Sequence, residues 1–244
     1  MLKKHNPILE KSARDLAKSL KINFKNFSIL ENSLIHRSFI NEHRSWKLIS
    51  NERLEFLGDA VLELLVTDYL FYNYSNEEGE LTNWRAALVS AESLSPVAEQ
   101  LDLGKYLFVG RGEQKNHRSK INIMADALEA LIGAIYLDLG LSEADKFIKK
   151  YIVSRLPNIL ENQLFVDAKT ALQEKAQREW KITPEYTVVK EGGPDHNKWF
   201  EVGVYINKKL MGKGRGSSKQ KAEKEAAKTA IDKLSKAIPK KSRD

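Results

Sequence analysis

The 244 residues contain no cysteine, which excludes disulfides, thiolate zinc sites and cysteine nucleophiles and fits a reducing cytoplasm. Long hydrophobic runs are missing too: none approaches the roughly 20 residues of a membrane span. The opening MLKKHNPILEKSARDLAKSL is broken too often by charge to be a signal peptide. These absences predict a soluble cytoplasmic protein with no membrane partner. The chain also lacks repeats and low-complexity tracts, so its length implies one large core or two smaller ones.

Charge of both signs is plentiful but unevenly placed. Lys and Arg number 40 against 33 Asp and Glu, a net charge of +7. Residues 1–166 hold 21 basic and 22 acidic side chains, whereas residues 167–244 hold 19 and 11, so the whole surplus sits in the last third. A basic module on a near-neutral body suits a polyanion partner, because such a field favours nucleic acid without choosing a sequence. A basic surface can also serve solubility alone.

From residue 5 to about 156 the apolar positions recur at helical spacing, as in RLEFLGDAVLELLVTDYLF and MADALEALIGAIYLDLG, which predicts an all-helical domain. NEEGE at 76–80 and GRGEQKNHRSK at 110–120 have the composition of solvated loops. Pro157-Asn158 is expected to stop the helix that starts near Ser142, leaving residues 157–166 as a linker. Residues 167–237 then change pattern: a helix, three strand-like segments (PEYTVVKEG, KWFEVGVYI, KLMGKGRG) and a lysine- and alanine-rich helix, an α-β-β-β-α order. Ala222, Ala226, Ala230 and Leu234 form the seam by which that last helix packs on the sheet. Residues 238–244 are a basic tail.

In NERLEFLGDAVLEL, residues 51–64, the acids Glu52, Glu55, Asp59 and Glu63 fall within an arc of roughly 80° on a helix. Leu54, Leu57, Val61, Leu64 and Leu65 take the other side. A solvated face accounts for many such stripes. Here, however, like charges at i+3 and i+4 repel, Phe56 borders the acids, and Gly58 sits mid-helix at a cost of about 1 kcal/mol. That glycine points to another backbone coming close.

Asp126 and Glu129 lie one turn apart on a helix that is apolar nearly all round. Ionised acids taken out of water cost several kcal/mol unless paired or metal-bound. Arg85 or helix-end amides could satisfy them. If instead they face Glu55 and Asp59, four carboxylates make an oxygen-only cage that selects Mg²⁺, with Mn²⁺ as a substitute, and Gly133 lets the helices close together. Carboxylates with Mg²⁺ beside a basic module suit phosphodiester hydrolysis; a polyphosphate hydrolase could use the same cage.

The last helix opens GRGSSKQKAEK, with Lys219 and Lys221 in its first turn, where the helix dipole disfavours cations unless an anion binds. Ser217 and Gln220 have capping-box spacing. Thr170, Gln173 and Glu174 share one polar face of the preceding helix, and His196 lies in the turn GGPDHN. Two polar patches and one basic patch match the way an A-form duplex is read, which favours double-stranded RNA.

These motifs together resemble bacterial ribonuclease III over almost the whole chain. LIHRSF, NERLEFLGDAVLEL, GELTNWRAALVSAESL and ADALEALIGAIYLD match its nuclease domain. DAKTALQEKAQ, GPDHNKWFEV and GKGRGSSKQKAEKEAA match its double-stranded-RNA-binding domain. The resemblance implies an all-α N-terminal endonuclease domain plus a small α+β C-terminal domain. It also implies a homodimeric, Mg²⁺-dependent endoribonuclease that leaves 5′-phosphates, 3′-hydroxyls and short 3′ overhangs and processes ribosomal RNA precursors and other structured RNAs.

By the same resemblance, Glu55, Asp126 and Glu129 ligate metal, Asp59 and Glu129 are catalytic, and Glu52 and Glu78 are supporting acids. Thr170, Gln173, Glu174, His196, Ser218, Lys219 and Lys221 contact RNA, and Phe56 crosses a dimer interface. Glu63 has no role in the pattern. Two residues depart from it: Gln220 stands where a second basic residue is common, and Met124 where a smaller branched one is. The alternative is a non-catalytic double-stranded-RNA-binding protein on the same fold, which would tolerate loss of the carboxylates; all are present.

Overall fold

A computed structural model describes residues 6–46, 48–114, 117–161, 168–194 and 198–236, in two compact units, Met1–Phe165 and Val166–Asp244. The first unit holds ten α-helices among its described residues: α1 (Pro7–Leu20), α2 (Phe27–Ser33), α3 (Arg37–Glu42), α4 (Glu52–Asn73), α5 (Glu78–Val89), α6 (Ala91–Gln100), α7 (Arg111–Gln114), α8 (His117–Leu139), α9 (Leu141–Tyr151) and α10 (Leu156–Glu161). The second holds α11 (Ala168–Trp180), β1 (Glu185–Gly192), β2 (Trp199–Ile206), β3 (Lys209–Gly216) and α12 (Lys219–Lys236). Among the described residues no helix is long and apolar enough to cross a membrane.

The core of the first unit gathers on α4 and α8, which pack along one another. Leu62 and Val66 of α4 and Leu128, Leu131 and Ile132 of α8 are fully buried. Leu54, Val61 and Leu65 face inward as the spacing predicts, but Leu64 is 58% exposed and does not belong to that buried side. Two expected loops are shorter than anticipated. Glu78 already lies in the first turn of α5, and segment 110–120 contains α7 and the start of α8. Residues 157–161, expected to begin the linker, continue the helical unit: Pro157 takes an early position of α10, where its missing N–H breaks no helical bond, and Ile159 is 4% exposed. Residues 162–167 and the tail 238–244 lie outside the described residues.

In the second unit, the strands form an antiparallel sheet of order β1-β2-β3. Asn207 and Lys208, with φ of 51° and 62°, make the tight turn between β2 and β3. Ala222, Ala226 and Ala230 are fully buried and Leu234 packs on the same cluster, as the seam predicts. The sheet meets them with glycine. A Cβ added at Gly214 would lie 2.1 Å from the Ala226 nitrogen, so strand and helix backbones touch with no side chain between them. The helix cap falls one residue later than expected: the Lys221 amide donates to Ser218 Oγ at 3.3 Å, not to Ser217.

Candidate metal centre and nucleic-acid interface

The crossing of α4 and α8 is closed by two glycines. A Cβ at Gly58 would lie 1.8 Å from the carbonyl oxygen of Glu129, and one at Gly133 would lie 2.3 Å from the carbonyl oxygen of Leu54. There the two backbones come close enough for the acids of one helix to face those of the other. One carboxylate oxygen each from Glu55, Asp126 and Glu129 lies within 4.8 Å of the others. All three residues are partly buried, and Asp59 stands exposed at the edge.

The electrostatics show a site short of positive charge. Burial, reinforced by Asp59, Asp126 and Glu55, pushes the Glu129 carboxyl up to about 8. Burial raises Glu55 too, with Asp126, Glu52 and Asp59 adding to it, and burial raises Asp126. Arg85 does not neutralise the group; its guanidinium donates to Thr67 Oγ1 at 2.9 Å. Three oxygen donors whose charged forms repel one another, with no nitrogen or sulfur in the set, fit a hard divalent cation.

A pH dependence follows. The folded chain keeps a proton on Glu129 that the unfolded chain releases above about 4.5. The stability tied to that proton is complete below pH 4.5 and is lost as pH rises through about 8. Thermal unfolding in EDTA should therefore show the wild type falling further than Glu129→Gln between pH 6 and 8.5. Added Mg²⁺ should restore more to the wild type than to the variant. Equal pH slopes for the two proteins would contradict this assignment.

The expected supporting acids part company. Glu52 adjoins the cluster and is held from outside it: Arg37 Nη1 lies 3.2 Å from its Oε1 and Ser50 Oγ donates to Oε2 at 2.8 Å. Those hydrogen bonds, Ser50 first, hold its carboxyl below the usual range. Glu78 instead accepts from Thr82 on its own helix at 2.9 Å, and the structure does not bring it into the cluster among the described residues. Glu63 is exposed, as expected.

Phe56 is 80% exposed and borders a depression of about 780 Å³ whose lining includes Ile29, Ile49, Leu57 and Leu137 together with the polar Asn32, Glu52 and Arg53. In the second unit, Thr170, Gln173 and Glu174 are all on the exposed side of α11, and Lys219 and Lys221 are exposed in the first turn of α12. His196 lies outside the described residues. The sequence reading overlooked Lys198, whose ammonium lies 5.4 Å from the Phe200 ring centroid while that of Lys219 lies 5.9 Å from it. Phe200 thus carries two cations, one from the β1–β2 turn and one from α12. The only sequence signal is a lysine two residues before an aromatic.

Comparison with known proteins accounts for both units. Residues 26–156 match a Ribonuclease-III-like family model and residues 168–234 a double-stranded RNA binding motif. The chain is 44% identical over 219 residues to Ribonuclease 3 of Borreliella afzelii, covering 89% of each. To Ribonuclease 3 of Carboxydothermus hydrogenoformans it is 46% identical over 222 residues, covering 90% of this chain and 94% of that one. Among solved structures, the nuclease domain of ribonuclease III from Campylobacter jejuni superposes with a TM-score of 0.52 at 40% identity, over 58% of this chain and 96% of that one.

Proposed function

Because the chain belongs to the ribonuclease III family and is an endoribonuclease with a duplex-binding domain, we propose that it cuts double-stranded RNA with Mg²⁺ held by Glu55, Asp126 and Glu129. The observation that carries this reading is the convergence of those carboxylates across a glycine-lined helix crossing. Bound there, a divalent ion supplies an acidified water and positive charge against the phosphate oxygens. The chain's own part would be to set three oxygen donors in place beforehand, with Glu129 serving as a carboxylate once its proton has passed to solvent. In this reading Asp59, exposed beside them, orients the attacking water and takes its proton. Glu52 supports the cluster from its rim; Glu78, turned to Thr82 on its own helix, would take part only if RNA or the ion drew it in.

The products in this reading carry 5′-phosphates and 3′-hydroxyls with short 3′ overhangs, and the substrates include ribosomal RNA precursors and other structured RNAs in the cytoplasm. The second unit supplies affinity: Thr170, Gln173, Glu174 and His196 for sugar edges, Ser218, Lys219 and Lys221 for phosphates. The first unit also forms a two-fold homodimer, so that each strand of a duplex meets an equivalent site. The depression beside Phe56 supports this, since a two-fold interface needs projection and socket on one surface. Truncating an aromatic anchor costs about 2 kcal/mol or more, roughly 30-fold in affinity. Phe56→Ala should accordingly shift sedimentation toward monomer; an unchanged dimer constant would remove Phe56 from the interface.

Incubating the purified protein with a long RNA duplex and Mg²⁺ and sequencing the ends tests the reaction directly. Duplex left intact at high protein concentration would favour the non-catalytic duplex binder.

A further inference from the structure

Glu52 occupies the first turn of α4, one turn before Glu55, and both of its carboxylate oxygens are engaged. The two residues that grip it stand on segments tied to each other. The Asn51 amide donates to the Ile35 carbonyl at 2.8 Å, and its side chain donates to the Ser33 carbonyl at 3.4 Å from a position only 2% exposed. Asn32 Nδ2 donates to the Ser50 carbonyl at 3.1 Å. On the far side, the His36 amide donates to the Phe108 carbonyl at 3.0 Å and the Phe108 amide to the Leu34 carbonyl at 2.8 Å. Arg37 therefore rises from backbone braced against α4 on one side and against segment 108 on the other. The Asn51 carbonyl in turn accepts the Glu55 amide at 2.9 Å, so one anchor serves the gripped acid and the neighbouring ligand.

An ion pair with side-chain exposures of 67% and 50% adds little to folding, commonly 0–1 kcal/mol. Its consequence here is geometric. A glutamate has three rotatable bonds, and without a grip Glu52 could swing inward, adding a further carboxylate to a cluster already short of positive charge. With Oε1 on Arg37 and Oε2 on Ser50, it stays at the rim.

Resting on the reading of this cluster as the nuclease's metal site, we propose that Arg37, assisted by Ser50, is a positioning residue that holds Glu52 at the rim of the Glu55–Asp126–Glu129 cluster. Arg37 acts through Glu52 rather than by touching RNA itself. Residues that orient a metal site from behind its ligands typically change metal affinity or activity by about 10–100-fold when removed, and that is the range expected here.

The test is single-turnover cleavage of an RNA duplex by the full-length protein over a Mg²⁺ series. It compares wild type, Arg37→Ala, Arg37→Lys, Ser50→Ala, Glu52→Ala and the double variant Arg37→Ala/Glu52→Ala. Arg37→Ala should slow cleavage about tenfold or more at saturating RNA, with unfolding temperature and duplex affinity unchanged. Arg37→Lys should recover part of the rate by keeping the charge, and the double variant should be no slower than Glu52→Ala. The proposal is overturned if the two single losses multiply in the double variant, if Arg37→Ala cleaves at the wild-type rate, or if its rate falls in step with its unfolding temperature. Glu129→Gln, run alongside, separates the two levels. If it still cleaves, the metal-site reading fails and takes this inference with it; if it is inactive while the single losses multiply, only the positioning role fails.

Discussion

Glu129→Gln should lose RNA cleavage by on the order of 10³-fold or more while its affinity for an RNA duplex stays within about twofold of wild type, because on the role proposed for Glu129 the change removes a ligand, which costs more than the 10–100-fold of a residue that merely orients one. The substitution is nearly isosteric, so no cavity opens on α8, where Leu128 and Ala130 on either side are fully buried. It also removes the most strongly raised acid of the cluster, pushed up to about 8 by burial and by Asp59, Asp126 and Glu55. The variant should fold at least as stably as wild type in EDTA above neutral pH, which prevents the lost activity from being charged to misfolding. Binding survives because the residues assigned to RNA contact all belong to the second unit, which has its own core built on Leu172, Val202, Val204 and Ala226. Paired gel shifts in EDTA and single-turnover cleavage in Mg²⁺ read the two quantities independently. Equal losses in both would place Glu129 in duplex binding and undo the metal assignment.

What the sequence disclosed depended on whether a feature obeyed helix periodicity. Asp126 and Glu129 stood out because their helix is apolar nearly all round, and Gly58 because a helix interior seldom tolerates glycine without a close neighbour; both features meet at one crossing. The Arg37–Glu52 pair was illegible, since its partners lie 15 positions apart on different elements. Leu64 shows the limit in another form. A leucine on a helix follows the same spacing whether it faces its own core or outward, and only the fold revealed it as 58% exposed. The shift of the α12 cap from Ser217 to Ser218 turned on two adjacent serines of equal capping power. Pro157 misled for a related reason: proline ends a helix in its interior but is welcome in its first turn, and sequence alone did not say which applied.

Gly58→Ala should be the most damaging conservative change in the first unit. In a helix interior alanine is favoured over glycine by about 1 kcal/mol, so an ordinary site would gain stability. Here the new methyl would lie 1.8 Å from the Glu129 carbonyl oxygen, 2.6 Å from its carbon and 2.9 Å from the Gly133 nitrogen. All three are backbone atoms, which cannot turn aside as a side chain can. The helices must separate, and overpacking of a well-filled core costs typically 1–3 kcal/mol or more, enough to outweigh the propensity gain. The functional loss should exceed what the drop in unfolding temperature implies. α4 carries Glu55 and Asp59 while α8 carries Asp126 and Glu129, and ligand geometry tolerates only about 0.5 Å of error. Thermal unfolding should thus fall by several degrees, and any stabilisation by added Mg²⁺, expected of wild type on the proposed metal site, should nearly vanish. An unchanged unfolding temperature would mean that the crossing is looser than 1.8 Å implies. Gly133→Ala presses the same two backbones apart from the other side, 2.3 Å from the Leu54 carbonyl oxygen. Once one methyl has opened the crossing, the second meets less resistance, so the double variant should lose less stability than the sum of the singles.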